Sequence, residues 1–327
     1  MRLRRSDPAK PGYGRRRHGR GVVFLDRDGT PIRDPDELAR LRDLVIPPAW
    51  RDVWICPHPG GHIQATGTDA AGRRQYLYHP QWRAKRDEAK FDHILEVAGR
   101  LPALRERVDA DLASRGLTRE RVLATATRLL DMGMFRIGSE QYAAGDDPTF
   151  GVATLRPDHT RTRQGCVVLE FPAKGGVEQV RRISDPQLCR VLRDLRRRRR
   201  AAERLFGYWD GRQWHDVRSD EVNEYLRECS GGEMTAKDFR TWHATVRAAV
   251  ELASVGPQRT VTARRRTVAA VMRDVADLLG NTPTVARASY VDPRVVDLYH
   301  DGVVVPADRD TPRPVAEQAV RELLADT

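Results

Sequence analysis

Five side chains in this sequence have the chemistry to work on a charged ester: Arg136, Lys174, Arg240, Asn281 and Tyr290. A guanidinium offers a planar fork of donors to an oxyanion, an amide donates one neutral hydrogen bond, a lysine can hold or deliver a proton, and a phenol can act as nucleophile. In "GMFRIGSEQY", Arg136 closes an apolar helical run, where an unpaired guanidinium is costly. In "LEFPAKGGVEQV", Lys174 stands at the tip of a hairpin beside Gly175-Gly176, and in "TAKDFRTWHAT" Arg240 lies on a helix among Phe239, Trp242 and Ala244. In "LLGNTPTVARASYVDPRVVDLY" a helix ends at Gly280, Asn281 follows, then a loop with Pro283 and a short turn carrying Tyr290. Taken singly, each has an ordinary use: a surface ion pair, a turn lysine, a snorkelling arginine, a packing tyrosine. Other signatures are missing. The sequence has no G-x-x-x-x-G-K-[ST] loop of an ATP-driven motor, no H-E-x-x-H, and no carboxylate cluster for a two-metal nuclease.

The elements that must position these groups fall into two parts. The first is β-rich, with strand-like "VVFLD", "VWICP", "HIQATGTD" and "RQYLYH", and a short helix "DPDELARLRDLV" that begins at an Asp-Pro cap and ends by Pro47-Pro48. From about His79 the pattern turns helical, with Phe91, Ile94, Leu95 and Ala98 at helical spacing, so the domain boundary is expected near residue 90. The expected plan is a disordered basic arm over 1–20, a β-rich domain over 21–90 and a mainly α-helical domain over 91–327, an α+β chain. Within the last domain "GVATL" and "GCVVLEFPAKGGVEQVRRI" form a small antiparallel sheet, and the arginine run 196–200 is a solvated helix end. The stretch "GVVFLDRDGTPI" has two readings. It resembles the nucleophile loop of haloacid-dehalogenase-type phosphatases, with Asp26 attacking phosphorus, and it is also an Asp-Gly hairpin. The chain that follows lacks alternating strands and helices, so the hairpin is expected.

Composition narrows the partner. A net charge of +11 on 327 residues favours a polyanion, with nucleic acid ahead of an anionic membrane surface. No apolar run approaches the ~18 residues that span a bilayer. The basic N-terminus has no apolar segment behind it to make a secretory signal. Cys56, Cys166, Cys189 and Cys229 lie far apart with no C-x-x-C pair, which indicates neither a zinc site nor a disulfide framework and fits a reducing cytoplasm.

Together and in this order, Arg136, Lys174, Arg240, Asn281 and Tyr290 resemble the active-site set of type IB DNA topoisomerases, in the small poxvirus-type branch with bacterial members. The resemblance runs from roughly residue 20 onwards through "VIPPAW", "GHIQATGTDAAGRRQYLYHPQWRAKRDEAKFDHI", "FRIGSEQY" and "KDFRTWHAT". It implies the tyrosine recombinase/type IB topoisomerase catalytic fold and transesterification without ATP, an obligatory metal or another cofactor. Tyr290 would form a 3′-phosphotyrosyl link and release a 5′-hydroxyl. Arg136, Arg240 and Asn281 would stabilise the phosphorane, and Lys174, with Arg136, would protonate the leaving oxygen. One position departs from the poxvirus pattern: Asn281 stands where those enzymes have His, and can donate a hydrogen bond but carry no charge. The resemblance also implies that the first domain clamps duplex DNA opposite the catalytic domain. "GRRQYLYH" puts Tyr76 and Tyr78 on one strand face with Arg73, Arg74 and Gln75 beside them, a surface suited to a groove and its phosphates. The expected partner is supercoiled duplex DNA, bound by a monomer associated with the nucleoid. Two rival readings are a tyrosine recombinase, which usually carries H-x-x-R where this chain has Lys237-Asp238-Phe239-Arg240, and a non-enzymatic basic DNA-binding protein.

Overall fold

The computed structural model describes residues 2–19, 21–132, 135–144, 147–163 and 166–327. Met1 and Arg20 of the expected arm, Gly133 and Met134 of the stretch read as helical, and Gly165 of the stretch read as sheet lie outside the described residues. The chain divides into two compact units, Met1–Phe91 and Asp92–Thr327.

In the first unit, β1 (Tyr13–His18), β2 (Gly21–Leu25), α1 (Pro35–Asp43), β3 (Arg51–Ile55), β4 (Ile63–Thr68) and β5 (Arg74–Tyr78) build an antiparallel sheet in the order β2-β1-β3-β4-β5. Alternation sets its faces. Ile55 pairs with Ala65 and Ala65 with Leu77, and these turn towards a core with Phe24, Leu41 and Ile46. One residue along, Trp54 pairs with Thr66 and Thr66 with Tyr76 on the opposite face. The expected disordered arm is corrected here: Tyr13–His18 is a strand paired to both β2 and β3. Arg15 shows why a basic stretch can be ordered. Its guanidinium donates to the carbonyls of Ile46, Pro47 and Trp50 at 2.9, 2.9 and 3.0 Å, closing the "VIPPAW" loop. The hairpin reading of "GVVFLDRDGTPI" holds. Asp26 N–H donates to Thr30 O at 2.8 Å, Leu25 bridges Pro31, and Asp26 Oδ1 accepts from the N–H groups of Asp28 and Thr30. The Asp26 carboxylate is thus engaged by its own loop. Asp34 caps α1 through Glu37 N–H at 2.8 Å. The helix stops before the two prolines because Val45 takes a left-handed φ of 46°.

The second unit is mainly helical: α2 (Pro80–Ala113), inside which the division falls, α3 (Arg119–Asp131), α4 (Glu140–Ala143), α5 (Pro186–Arg198), α6 (Ser219–Ser230), α7 (Ala236–Val255), α8 (Val261–Leu279), α9 (Pro283–Ser289), α10 (Pro293–His300) and α11 (Arg313–Ala325). A sheet of β6 (Thr160–Arg163), β7 (Cys166–Ala173) and β8 (Val177–Ile183) packs with α5, and β9 (Gly207–Trp209) pairs with β10 (Trp214–Asp216). Three expectations are corrected. "GVATL" forms a 3-10 turn at Val152–Thr154 rather than a strand, because Val152 N–H and Ala153 N–H bond the carbonyls of Arg136 and Ile137 and Thr154 Oγ1 accepts Gly151 N–H. The loop between Asn281 and Tyr290 holds α9, with Thr282 as its N-cap and Pro283 in its first turn. Arg199, in the run read as solvated, is buried. Its guanidinium pairs with Asp216, donates to Arg204 O and lies 5.1 Å from the Trp214 ring centre.

α7 runs through the core with Phe239, Trp242, Ala244, Ala248 and Leu252 buried. A buried polar cluster fastens it to its neighbours. Asp131, the last residue of α3, accepts from Arg105 of α2 at 2.9 Å and from Arg313 at the start of α11 at 2.6 Å, and meets His243 of α7 at 3.3 Å. Glu317 of α11 takes Arg105 at 2.6 Å and Arg313 at 2.8 Å. Burial works against the charge on Asp131, but His243, Arg105 and Arg313 outweigh it and hold its carboxyl well below the usual range.

Candidate active site

The C-terminal end of α8 is the meeting point of the predicted residues. Gly280 caps this helix in the left-handed conformation and leaves its last carbonyls facing outwards. Arg240, one turn into α7 and 3% exposed, donates Nη2 to Leu279 O at 2.7 Å. Arg136 donates to Asn281 Oδ1 at 2.8 Å and, more weakly, to Gly280 O at 3.3 Å. Carbonyl ends attract cations, so the helix terminus holds both guanidiniums side by side. With Oδ1 turned to Arg136, the Asn281 amide nitrogen is buried with no hydrogen-bond partner among the described residues.

Arg136 is not on a helix, and its backbone is fixed by close approach instead. Gly138 has φ of 87°, and a Cβ there would lie 2.6 Å from Thr154 Oγ1; a Cβ on Gly151 would lie 2.6 Å from Arg136 O. Only a glycine pair allows Val152 N–H to reach Arg136 O at 2.9 Å. Tyr290 follows α9 and is 8% exposed. Its backbone is tied to α7: Thr245 Oγ1 donates to Tyr290 O at 3.2 Å and accepts Asp292 N–H at 3.1 Å. The Arg240 guanidinium carbon lies 5.3 Å from the Tyr290 ring centre. Burial raises the cost of ionising this phenol, but the charges of Arg240 and Arg136 outweigh it, so its pKa lies below the ordinary value of 10. Arg240 is itself lowered to about 10, by burial first and by Arg136 second, and remains a cation at neutral pH.

Lys174 lies in the three-residue loop between β7 and β8, where Gly175 and Gly176 have φ of 86° and 72°. It is exposed, and it lines a small cleft together with Phe135, Arg136, Phe171 and Gly280. Arg136, Arg240, Asn281 and Tyr290 are therefore gathered at one helix end, with Lys174 at the rim of the same cleft. Sequence reasoning missed Thr245, although it stands inside "KDFRTWHAT", because a helical threonine carries no signal of its own. It also missed Gly151, whose role depends on a contact with Gly138.

The residues on the first unit separate. Arg74, Tyr76 and Tyr78 share the face away from the core, with the two rings stacked 6.1 Å apart. Arg73 pairs with Asp69 in the β4–β5 turn. Gln75 lies on the other face, and its amide donates to Asp69 at 2.9 Å.

Residues 79–301 match the family described as the catalytic core of eukaryotic DNA topoisomerase I, and residues 21–69 match the N-terminal domain of bacterial DNA topoisomerase IB. The chain belongs to the type IB DNA topoisomerases. The DNA topoisomerase 1B of Acanthamoeba polyphaga mimivirus is 28% identical over 298 residues, which cover 89% of this topoisomerase and 88% of the viral protein. All five residues at the α8 terminus and its cleft fall inside the catalytic-core match. The topoisomerase is an isomerase acting on DNA, and membership of this family decides against the recombinase and the non-enzymatic readings. Among the described residues no helix is long and apolar enough to cross a membrane.

Proposed function

We propose that Tyr290 is the nucleophile of a reversible transesterification. Its phenol loses its proton to water and the phenolate oxygen attacks a backbone phosphorus, the bond to the 5′-oxygen breaks, and the 3′-phosphate is left on the tyrosine. After strand rotation the 5′-hydroxyl attacks the phosphotyrosyl bond and restores both the DNA and the phenol. One phosphoester replaces another, so the cycle needs no ATP. Arg136 and Arg240 face the nonbridging oxygens as charge builds up on the phosphorane. Asn281 steadies Arg136 through Oδ1 and offers its nitrogen as a further donor. Lys174, on its glycine-rich loop, gives the leaving 5′-oxygen its proton.

The observation that carries this reading is the pair of guanidiniums held by the α8 terminus beside a phenol whose ionisation they favour. The first unit binds duplex through Arg74, Tyr76 and Tyr78, with Arg73 at the hairpin; Gln75 joins them only by leaving Asp69. The catalytic unit is read as the fold shared with tyrosine recombinases, and the enzyme as a monomer that prefers supercoiled DNA and works at the nucleoid. The test is a labelled duplex with a short 3′ flank, quenched in detergent. A protein–DNA adduct that carries the DNA on the peptide containing Tyr290, with a free 5′-hydroxyl on the other fragment, is expected. An adduct through a different residue, or a 5′-linked one, would overturn the assignment.

A further inference from the structure

The segment before β1 lies outside both family matches, and the α8 site does not use it. It is nonetheless pinned to the sheet. Arg4 forms a parallel bridge with Gly61: its N–H donates to Gly60 O at 2.9 Å and its carbonyl accepts His62 N–H at 2.9 Å. Ser6 Oγ donates to Ile63 O at 2.9 Å, and Trp54 Nε1 donates to Lys10 O at 2.9 Å. The register fixes which side this is. Trp54 pairs with Thr66 and Thr66 with Tyr76, so the indole that holds the segment is on the face of Arg74, Tyr76 and Tyr78, away from the core.

A cavity of about 590 Å³ opens there, lined by Arg4, Arg5, Lys10, Arg27 and Trp54 among others. Asp7 and Asp28 also line it, and Asp7 spends an oxygen on Ala9 N–H at 3.0 Å. Four cations face two carboxylates, and among the described residues none of the four cations makes an ion pair. Cations gathered in a concavity without partners raise the local concentration of anions. Two strand spacings separate Trp54 from Tyr76, roughly 10 Å, which is about the rise of three base pairs on one DNA strand.

We propose that this cavity binds backbone phosphates of the same duplex that the Arg74–Tyr76–Tyr78 face holds, so that the N-terminal segment lengthens the DNA contact of the first unit. The inference rests on the reading of that face as DNA-binding. Its contacts go to phosphates and carry no sequence information.

The experiment measures duplex binding by Tyr290→Phe protein across a range of salt concentrations. Three sets of changes are compared in that background: R4A/R5A/K10A, R27A, and R74A/Y76A. Each phosphate that is no longer neutralised should lower the slope of log affinity against log salt by about 0.9. The triple variant should lose up to three such steps and R27A about one, equally on unrelated sequences, with unfolding temperatures unchanged. R27A is the safeguard, since Arg27 sits in the loop after β2 and its removal leaves the segment docked. A wild-type slope in R27A, alone or together with the triple variant, while R74A/Y76A weakens binding, refutes the cavity and leaves the face intact. Wild-type binding by all three refutes the face as well.

Discussion

Asn281→Ala separates two uses of one amide. Its oxygen takes Arg136 Nη2 at 2.8 Å, while the other bond of that nitrogen, to Gly280 O, is longer at 3.3 Å. The amide nitrogen of Asn281 is buried and unpartnered among the described residues, and the proposed cycle gives it a phosphate oxygen. A hydrogen bond to a charged group contributes about 1.5–3 kcal/mol. If Arg136 loses that much alignment in the transition state, cleavage slows about 10- to 150-fold, at about 1.4 kcal/mol per tenfold. Loss of the nitrogen as a direct donor adds a factor of up to about 10²–10³. A double-mutant cycle with Arg136→Ala isolates the first part, because no guanidinium is left to position. Single-turnover cleavage of the short-flank duplex is the assay. The Asn281→Ala penalty should shrink by that 10- to 150-fold factor in the Arg136→Ala background. The same penalty in both backgrounds would show that Asn281 does not act through Arg136.

Arg240→Ala removes the guanidinium with the larger effect of the two that favour Tyr290 ionisation against burial. The alkaline rise of the cleavage rate should therefore move to higher pH as the rate falls; an unmoved rise contradicts the charge effect. Lys174→Ala should slow cleavage by about 10²–10⁴, and far less on a duplex whose leaving group is a 5′-thiol, which departs without a proton; equal losses on both duplexes would remove Lys174 from the acid role. Asp131→Asn takes the carboxylate from beneath Arg105, Arg313 and His243 and should cost about 3–5 kcal/mol of stability at neutral pH, read by denaturant unfolding. The folded-state pKa of Asp131 is depressed, so its contribution is present above the unfolded value near ~3.9 and is lost as pH falls below that. The wild type should lose stability in acid more steeply than Asp131→Asn, and parallel acid limbs would exclude the carboxylate as the cause.

The strands of the first unit were legible where side chains alternate, as in "RQYLYH", whose exposed Tyr76 and Tyr78 flank the inward Leu77. β1 was not, because "YGRRRH" has no apolar alternation and is placed by pairing to β2 and β3 and by Arg15 on three loop carbonyls. "GVATL" reads as a strand by composition, yet the Gly138–Gly151 approach and the carbonyls of Arg136 and Ile137 curl it into a turn. The short β9 and β10 offered too few residues to show a pattern. At the site, the five candidate residues could be named because order and neighbouring motifs resemble a family. Residue type alone did not separate them from ordinary packing. What holds them was hidden: Leu279 O and Gly280 O are backbone atoms, and the Asp131–His243–Glu317 cluster joins α3, α7 and α11 from distant parts of the chain.

The central claim is best tested with supercoiled plasmid in EDTA without ATP, comparing the wild-type enzyme with Tyr290→Phe. The wild type should relax the plasmid through a ladder of topoisomers, and the variant, though still binding DNA, should leave it supercoiled. Relaxation by Tyr290→Phe would show that the nucleophile is another residue, and failure of the wild type to relax plasmid that it binds would contradict the proposed cycle.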